Sequence, residues 1–243
     1  MEHHEPFIAE IVNHYIANPI AGWFGYHPHG DHGGVLPGHL VMIIIAFLFL
    51  TVFSLWLRRR LSVDSPGGVQ QALELTIQGL RSLAQDVIGA RNRRYFPLLG
   101  GLFFYILVCN WMGQIPGFAP PTANFNIPVS MAICSFLYYN FHGVRVHGPV
   151  RYLIHFAGPV LALSFIVFPI EIISHAARIA SLSIRLFGNL FAEELVTGSL
   201  ATIFPFVVPL PTVLLGLFAG LIQAFVFVLL TMVYIGEAVA EEH

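Results

Sequence analysis

The sequence predicts an all-α integral membrane protein. About five membrane-embedded helices are expected, with one amphipathic helix on the cytoplasmic side and a long, strongly tilted helical hairpin at the end. Three observations predict this class. The 243 residues are 56% hydrophobic and only 10% charged, with a mean hydropathy of +0.76, whereas soluble domains carry roughly 25% charged residues. Apolar runs of about the length needed to cross a bilayer recur along the chain. Arginines cluster at one end of successive runs: Arg58, Arg59 and Arg60, then Arg91, Arg93 and Arg94, then Arg145 and Arg151.

The elements follow in order. Residues 1–34 read as an extracytoplasmic N-terminal segment, and residues 35–243 as the membrane domain. The opening MEHHEPFIAE is acidic and histidine-rich, so no cleavable signal is expected. Between Pro6 and Pro19, the residues Phe7, Ile8, Ile11, Val12, Tyr15 and Ile16 recur at helical spacing, as in a short helix lying on the membrane surface. A Gly/His/Pro loop follows, Gly22 to Gly38. The first span is expected over 39–57, and the arginines after it are cytoplasmic by the positive-inside rule, which places the N-terminus outside. Val69, Leu73, Leu80, Leu83 and Val87 form a stripe interrupted by Glu74, Arg81 and Asp86, too polar to span. Further spans are expected over 95–112 and 127–141, joined by an uncharged external link with three prolines. The last hairpin pairs 159–198 with 213–235, and its tail EAVAEEH is cytoplasmic. The first hairpin helix would be about 60 Å long, twice a bilayer core of about 30 Å, so it must tilt, kink at Pro169, or run partly along the membrane.

Several function classes are excluded early. No basic stretch tracks a nucleic-acid backbone, and no Gly-rich phosphate loop is present, so neither nucleic acid nor nucleotide is an expected ligand. Cys109 and Cys134 lie in apolar runs, read as buried small hydrophobes rather than a disulfide or zinc framework. All 11 basic residues are arginine, and no physical reason for this is evident. The run His27-Pro28-His29-Gly30-Asp31-His32 resembles the metal motif of metallo-β-lactamase-fold hydrolases. That fold needs a soluble α/β sandwich and further ligands downstream, so a solvated loop is the preferred reading, with no resident metal or cofactor. An intramembrane hydrolase would need a nucleophile–base pair. Ser174 and His175 are adjacent, and adjacent helical residues point apart.

The chemistry concentrates in the first hairpin helix. Ionisable groups inside spans cost about 2.5–3.5 kcal/mol each on insertion scales, which makes them functional candidates. Glu171, His175, Arg178, Arg185, Asn189 and Glu193 fall within a sector of roughly 80° at 100° per residue, with Ser174 and Ser181 on its edge; Glu194 stands well away. The plain structural alternative is that these charges pair with one another and hold helices together, and it applies best to Arg178 and His175. Arg185 differs: its i−4, i−3, i+3 and i+4 neighbours are Ser181, Leu182, Gly188 and Asn189, so no carboxylate lies within helical pairing reach. Its partner is expected on another helix or another chain. On the last helix Gly216, Gly220, Gln223, Thr231 and Tyr234 share a face. Gly216 and Gly220 form a small-xxx-small pair that permits close approach, from which Gln223 is expected to reach the arginine stripe.

The runs SLSIRLFGNLFAEEL (Ser181 to Leu195), LIQAFVFVLLTMVYI (Leu221 to Ile235) and WMGQIPGFAPPTANFN (Trp111 to Asn126) resemble, in family order, subunit a of F-type ATP synthases. The resemblance covers roughly residues 35–243. It implies a subunit that is not catalytic alone, takes no cofactor and sits in a bacterial inner membrane. Its implied partners are a c-ring packed against the hairpin, the peripheral-stalk b subunits, the rest of the synthase and lipid. It implies that Arg185 faces the carboxylate of the ring, that Asn189 and Gln223 line the interface, and that Glu194 lies in the external half-channel with Glu171 on the same route. Glu193 departs from members that have glycine there and histidine on the last helix. Here that last-helix position is Gly216, an exchange expected if the two positions adjoin; it leaves both Glu193 and Glu194 as candidates for the relay, and the stripe geometry favours Glu193. His175, Arg178, Ser181, Gly216 and Gly220 are supporting residues. A stand-alone cation or proton transporter is the alternative, and it would work without a ring.

Overall fold

A computed structural model of the chain describes residues 7–19, 36–115, 118–149, 152, 164–203 and 209–240. Every regular element among them is helical, and there is no strand among the described residues. Helix α1 (Phe7–Val12) runs into a π turn, Asn13–Ala17. Helices α2 (Gly38–Arg58), α3 (Gly68–Ile88) and α4 (Phe96–Met112) follow. The chain continues with α5 (Asn126–His147), the 40-residue α6 (Ser164–Ile203) and α7 (Pro209–Val239).

Helix boundaries follow local chemistry. Pro37 is extended, and its carbonyl accepts from the amides of Leu40 and Val41 to start α2. Helix α3 stops at Gly89 (φ 86°) and α5 at Gly148 (φ 82°), backbone conformations in which a Cβ is strained. The expected spans 39–57 and 95–112 match α2 and α4 within a residue or so. Helix α5 runs beyond 141 to His147, and α7 extends past 213–235 at both ends. Pro169 is carried inside α6, and residues 159–163, where that helix was expected to start, lie outside the described residues.

Among the described residues, three helical segments suffice by length and composition to cross a membrane: Gly38–Arg58, Val167–Ser199 and Pro211–Val239. Helix α4 is apolar but has 17 residues. The packing is inside-out for a protein in water. Helix α2 buries only Gly38, Val41, Met42 and Ala46, and exposes Phe47 (62%) on the opposite face and Val52 (63%) further along the helix. A continuous apolar surface of this kind requires a non-aqueous neighbour.

The described residues belong to two compact units. The first comprises Met1–Leu61, Phe104–Asn124 and Asn189–Ile222. Its core packs Ala9 of α1 against Val41, Met42 and Ala46 of α2 and Cys109 and Met112 of α4, with Ile8 and Val12 at the edge. The predicted α1 stripe therefore divides, since Ile11 and Tyr15 are exposed. Asn13 secures the contact: its amide donates to the Leu36 carbonyl (2.8 Å) and its Oδ1 accepts from the Leu36 amide (3.2 Å).

The second unit comprises Ser62–Phe103, Phe125–Gly188 and Gln223–His243. Leu80 and Ala84 bury one face of α3, with Leu73, Leu83 and Val87 half-buried beside them. Val69, expected in that stripe, is exposed. Tyr95 packs edge-on against Tyr138 and His142 of α5. Gly236 lets α7 approach the Val87 carbonyl, which a Cβ would meet at 2.9 Å. One cysteine reading is corrected: Cys109 is buried, whereas Cys134 is exposed on α5. A thiol on an outward apolar face needs no protein neighbour when that face meets lipid.

Candidate functional site

The residues singled out by sequence separate into two sets. In the second unit α6 presents Glu171, His175 and Arg178, one helical turn apart. Glu171 Oε1 lies 3.5 Å from His175 Nε2, and His175 Nδ1 is 2.9 Å from the Tyr139 hydroxyl of α5. Arg178 Nη1 is 2.7 Å from Glu237 Oε2 of α7, and its guanidinium sits 4.8 Å from the centre of the Tyr234 ring. These groups, with His147 and Tyr152, line a cavity of about 270 Å³. Burial and the nearby Glu171 charge raise the Tyr152 hydroxyl above its ordinary value, with Arg178 opposing. The alternative of mutual pairing thus holds for His175 and Arg178, though Arg178 pairs across to α7 rather than back to Glu171. An acid, an imidazole and a phenol placed one after another, the last two hydrogen-bonded, can pass a proton.

In the first unit Glu193 meets α7 and the end of α4. Its Oε1 accepts from the Gln114 side-chain amide. A Cβ built on Gly216 would fall onto that same Glu193 oxygen and Gln114 nitrogen, and within 2.7 Å of Gln114 Cδ. Glu193 and Gly216 adjoin, as their exchange required. Gly220 faces α4, where a Cβ would lie 3.0 Å from that of Asn110. The expectation that the glycine pair serves the α6–α7 contact needs correction: Gly220 opens α7 to α4, and Gly216 admits side chains from both α4 and α6. The α4 end is held there by Trp111 Nε1 donating to the Leu217 carbonyl (3.0 Å) and Asn110 donating to that of Gly220 (3.3 Å). Thr122 in turn donates to Asn110 Oδ1 (3.1 Å).

Glu194 is exposed. Glu171 belongs to the other unit, with His175 beside it and Glu237 in the same cavity wall. The grouping of Glu171 with Glu194 on one route therefore gains no support from its surroundings. Arg185 and Ser181 are exposed, and among the described residues no ion pair or hydrogen bond engages Arg185. Gln223 is buried, but no described group accepts from its Nε2.

Five buried side-chain polar atoms lack a hydrogen-bond partner among the described residues: Ser135 Oγ, His142 Nδ1, Asn189 Nδ2, Glu193 Oε2 and Gln223 Nε2. Such a group costs about 1–3 kcal/mol, so its persistence asks for a functional reason. Three of the five are residues that the sequence pattern had already marked. No cluster of three or more metal-ligating side chains occurs among the described residues, and His27–His32 lies outside them. Sequence reasoning missed Gln114, Tyr139, Tyr152 and Glu237. Gln114 stood in an external-loop motif and Glu237 in a charged tail, and neither context signals a buried partner.

Residues 39–236 match the family model described as ATP synthase A chain. "ATP synthase subunit a 1" of Syntrophotalea carbinolica is 44% identical over 213 residues, covering 88% of this chain and 90% of the relative. "ATP synthase subunit a" of Aliarcobacter butzleri is 40% identical over 216 residues, covering 88% and 92%. That of Sulfurovum sp. is 42% identical over 200 residues, covering 82% and 81%.

Proposed function

We propose, from the premise that this chain belongs to the ATP synthase A chain family, that Arg185 is the fixed charge facing a moving carboxylate on a rotor ring. The chain is a non-catalytic, proton-translocating membrane subunit of an F-type ATP synthase. It works against a c-ring and within the rest of that complex, including the peripheral-stalk b subunits. We further read five spans in a bacterial inner membrane, with the N-terminus outside and the C-terminus cytoplasmic, because the arginine clusters lie at alternate span ends.

One observation carries the reading. Arg185 is a permanent cation on an apolar helix, exposed and without a partner among the described residues. An isolated charge in hydrocarbon is costly, so a carboxylate on another chain is the natural partner. Guanidinium favours the ionised form of a carboxylate beside it. An incoming ring site therefore releases its proton near Arg185 and rebinds one after passing, then turns through lipid as a neutral group. The fixed cation also blocks a direct proton hop between the two half-channels. Asn189 and Gln223, whose amide nitrogens have no described acceptor, are suited to hydrogen-bonding that interface.

The two polar sets are the two routes. Glu193, with Glu194 beside it in sequence, serves the external half-channel. The Glu171–His175–Tyr139 series serves the cytoplasmic one, since it shares its cavity with Glu237 in the tail read as cytoplasmic. This assigns Glu171 to the opposite route from that implied by the motif resemblance. The test is Arg185→Ala in the assembled complex, in inverted membrane vesicles. ATP-driven acidification should be abolished while ATP hydrolysis persists, and normal pumping would sink the reading.

A further inference from the structure

We propose that Gln114 is a positioning residue for proton transfer by Glu193, holding one carboxylate oxygen so that the other handles the proton. The inference rests on the reading of Glu193 as an external half-channel group. Glu193 is half-buried and reaches towards α7, where only a residue without a Cβ leaves room for it. Its Oε1 takes the Gln114 amide, so that oxygen is committed. Its Oε2 is buried and has no described donor. A carboxyl held in this way has one fixed oxygen and one that can bind and release a proton without reorienting. In the transfer, Oε2 accepts a proton from water on the external side and passes it to the ring carboxylate. Gln114 keeps both of its amide protons throughout.

Gln114 is itself held in place. It lies in the turn closing α4, where its backbone amide donates to the Trp111 carbonyl (3.1 Å). Trp111 and Asn110 bond the α7 backbone at Leu217 and Gly220. The α4 end is thus anchored on the helix that carries Gly216, and the amide is delivered to Glu193 as a consequence. A glutamine that merely tied helices together would bond a backbone carbonyl, as Asn110 does; Gln114 instead bonds an ionisable group.

The experiment uses the whole complex in inverted vesicles, with retention of this chain beside the c-ring as the assembly control. Gln114→Leu should lower ATP-driven pumping about tenfold, the loss of one hydrogen bond to a charged group, with hydrolysis and assembly retained. Glu193→Gln should lower it at least as much. The exchanged pair, Gln114→Glu with Glu193→Gln, restores an acid and an amide at the same place and should recover pumping to within about threefold of the parent, taking less than one hydrogen bond as lost. Wild-type pumping by Gln114→Leu would overturn the inference. So would an exchanged pair no better than Glu193→Gln alone, a comparison that still decides if the leucine variant fails to assemble. Arg185→Ala measured alongside separates the two claims: if it pumps normally the functional reading has failed, and if it is inactive while Gln114→Leu is normal, only the role of Gln114 has.

Discussion

The two polar regions of this chain treat their charges in opposite ways. Around the cavity of the second unit, Glu171 has His175, His175 has Tyr139, and Arg178 has Glu237. In the first unit Glu193 has one amide on one oxygen, and its other oxygen has no described partner. The first arrangement resembles a stable conduit, in which each of these groups has a side-chain partner. The second resembles a handover point, which has to leave capacity for something that arrives. Spare capacity is expensive in an apolar setting, and it recurs at Asn189 and Gln223, the residues expected beside Arg185. On the proposed roles, the groups that would meet the moving ring carboxylate keep spare capacity, and those around the cavity have partners.

The sharpest way to break that contrast is to crowd the handover point. Gly216→Val would place a branched side chain onto Glu193 and Gln114 together, and neither can retreat without surrendering the other. Pumping in vesicles should fall about 100-fold, the scale of displacing both partners of a buried polar pair. A valine variant that pumps within a factor of two of the parent would mean that the glycine is not needed for this geometry. A smaller effect is expected in the conduit. Tyr139→Phe removes the hydroxyl from His175 and leaves the ring packed against Phe136. Water in the cavity can substitute for the hydroxyl, so pumping should fall only about threefold, less than one net hydrogen bond. A loss as large as that of Gly216→Val would erase the distinction between the two regions.

Much of this fold was legible because local chemistry dictates it. The end of α2 near Arg58 was legible in the arginines there, whereas the stops of α3 at Gly89 and of α5 at Gly148, beyond the expected end at 141, were not. Arg185 was also legible, because an arginine without a carboxylate three or four residues away is a property of one helix. What could not be read was which helix answers which. The Gly216/Gly220 pair announces a tight face, yet nothing in its spacing says that α4 comes to it. Gln114 and Glu193 are 79 positions apart, and Tyr139 and His175 36 apart. Such pairings are set by how helices pack, a property absent from periodicity. Family resemblance had the same limit. It marked Glu171 as an acid of the pathway, but not that His175 would stand beside it and Glu237 in the same cavity wall.

The smallest expected effect belongs to the most conspicuous charge pair. Arg178 and Glu237 approach to 2.7 Å, but the Glu237 side chain is 53% exposed and that of Arg178 26%. A pair so open to water contributes about 0.2–1 kcal/mol, reduced further by salt. Arg178 also keeps its contact with the Tyr234 ring when the carboxylate is gone. Glu237→Gln should therefore change the pumping rate less than twofold, and added salt should shrink even that difference. Rates measured across a salt series in vesicles would show it. If the variant instead loses pumping tenfold at every salt concentration, Glu237 takes protons itself. The conduit would then continue through α7 to the C-terminal tail instead of ending at the Arg178 ion pair.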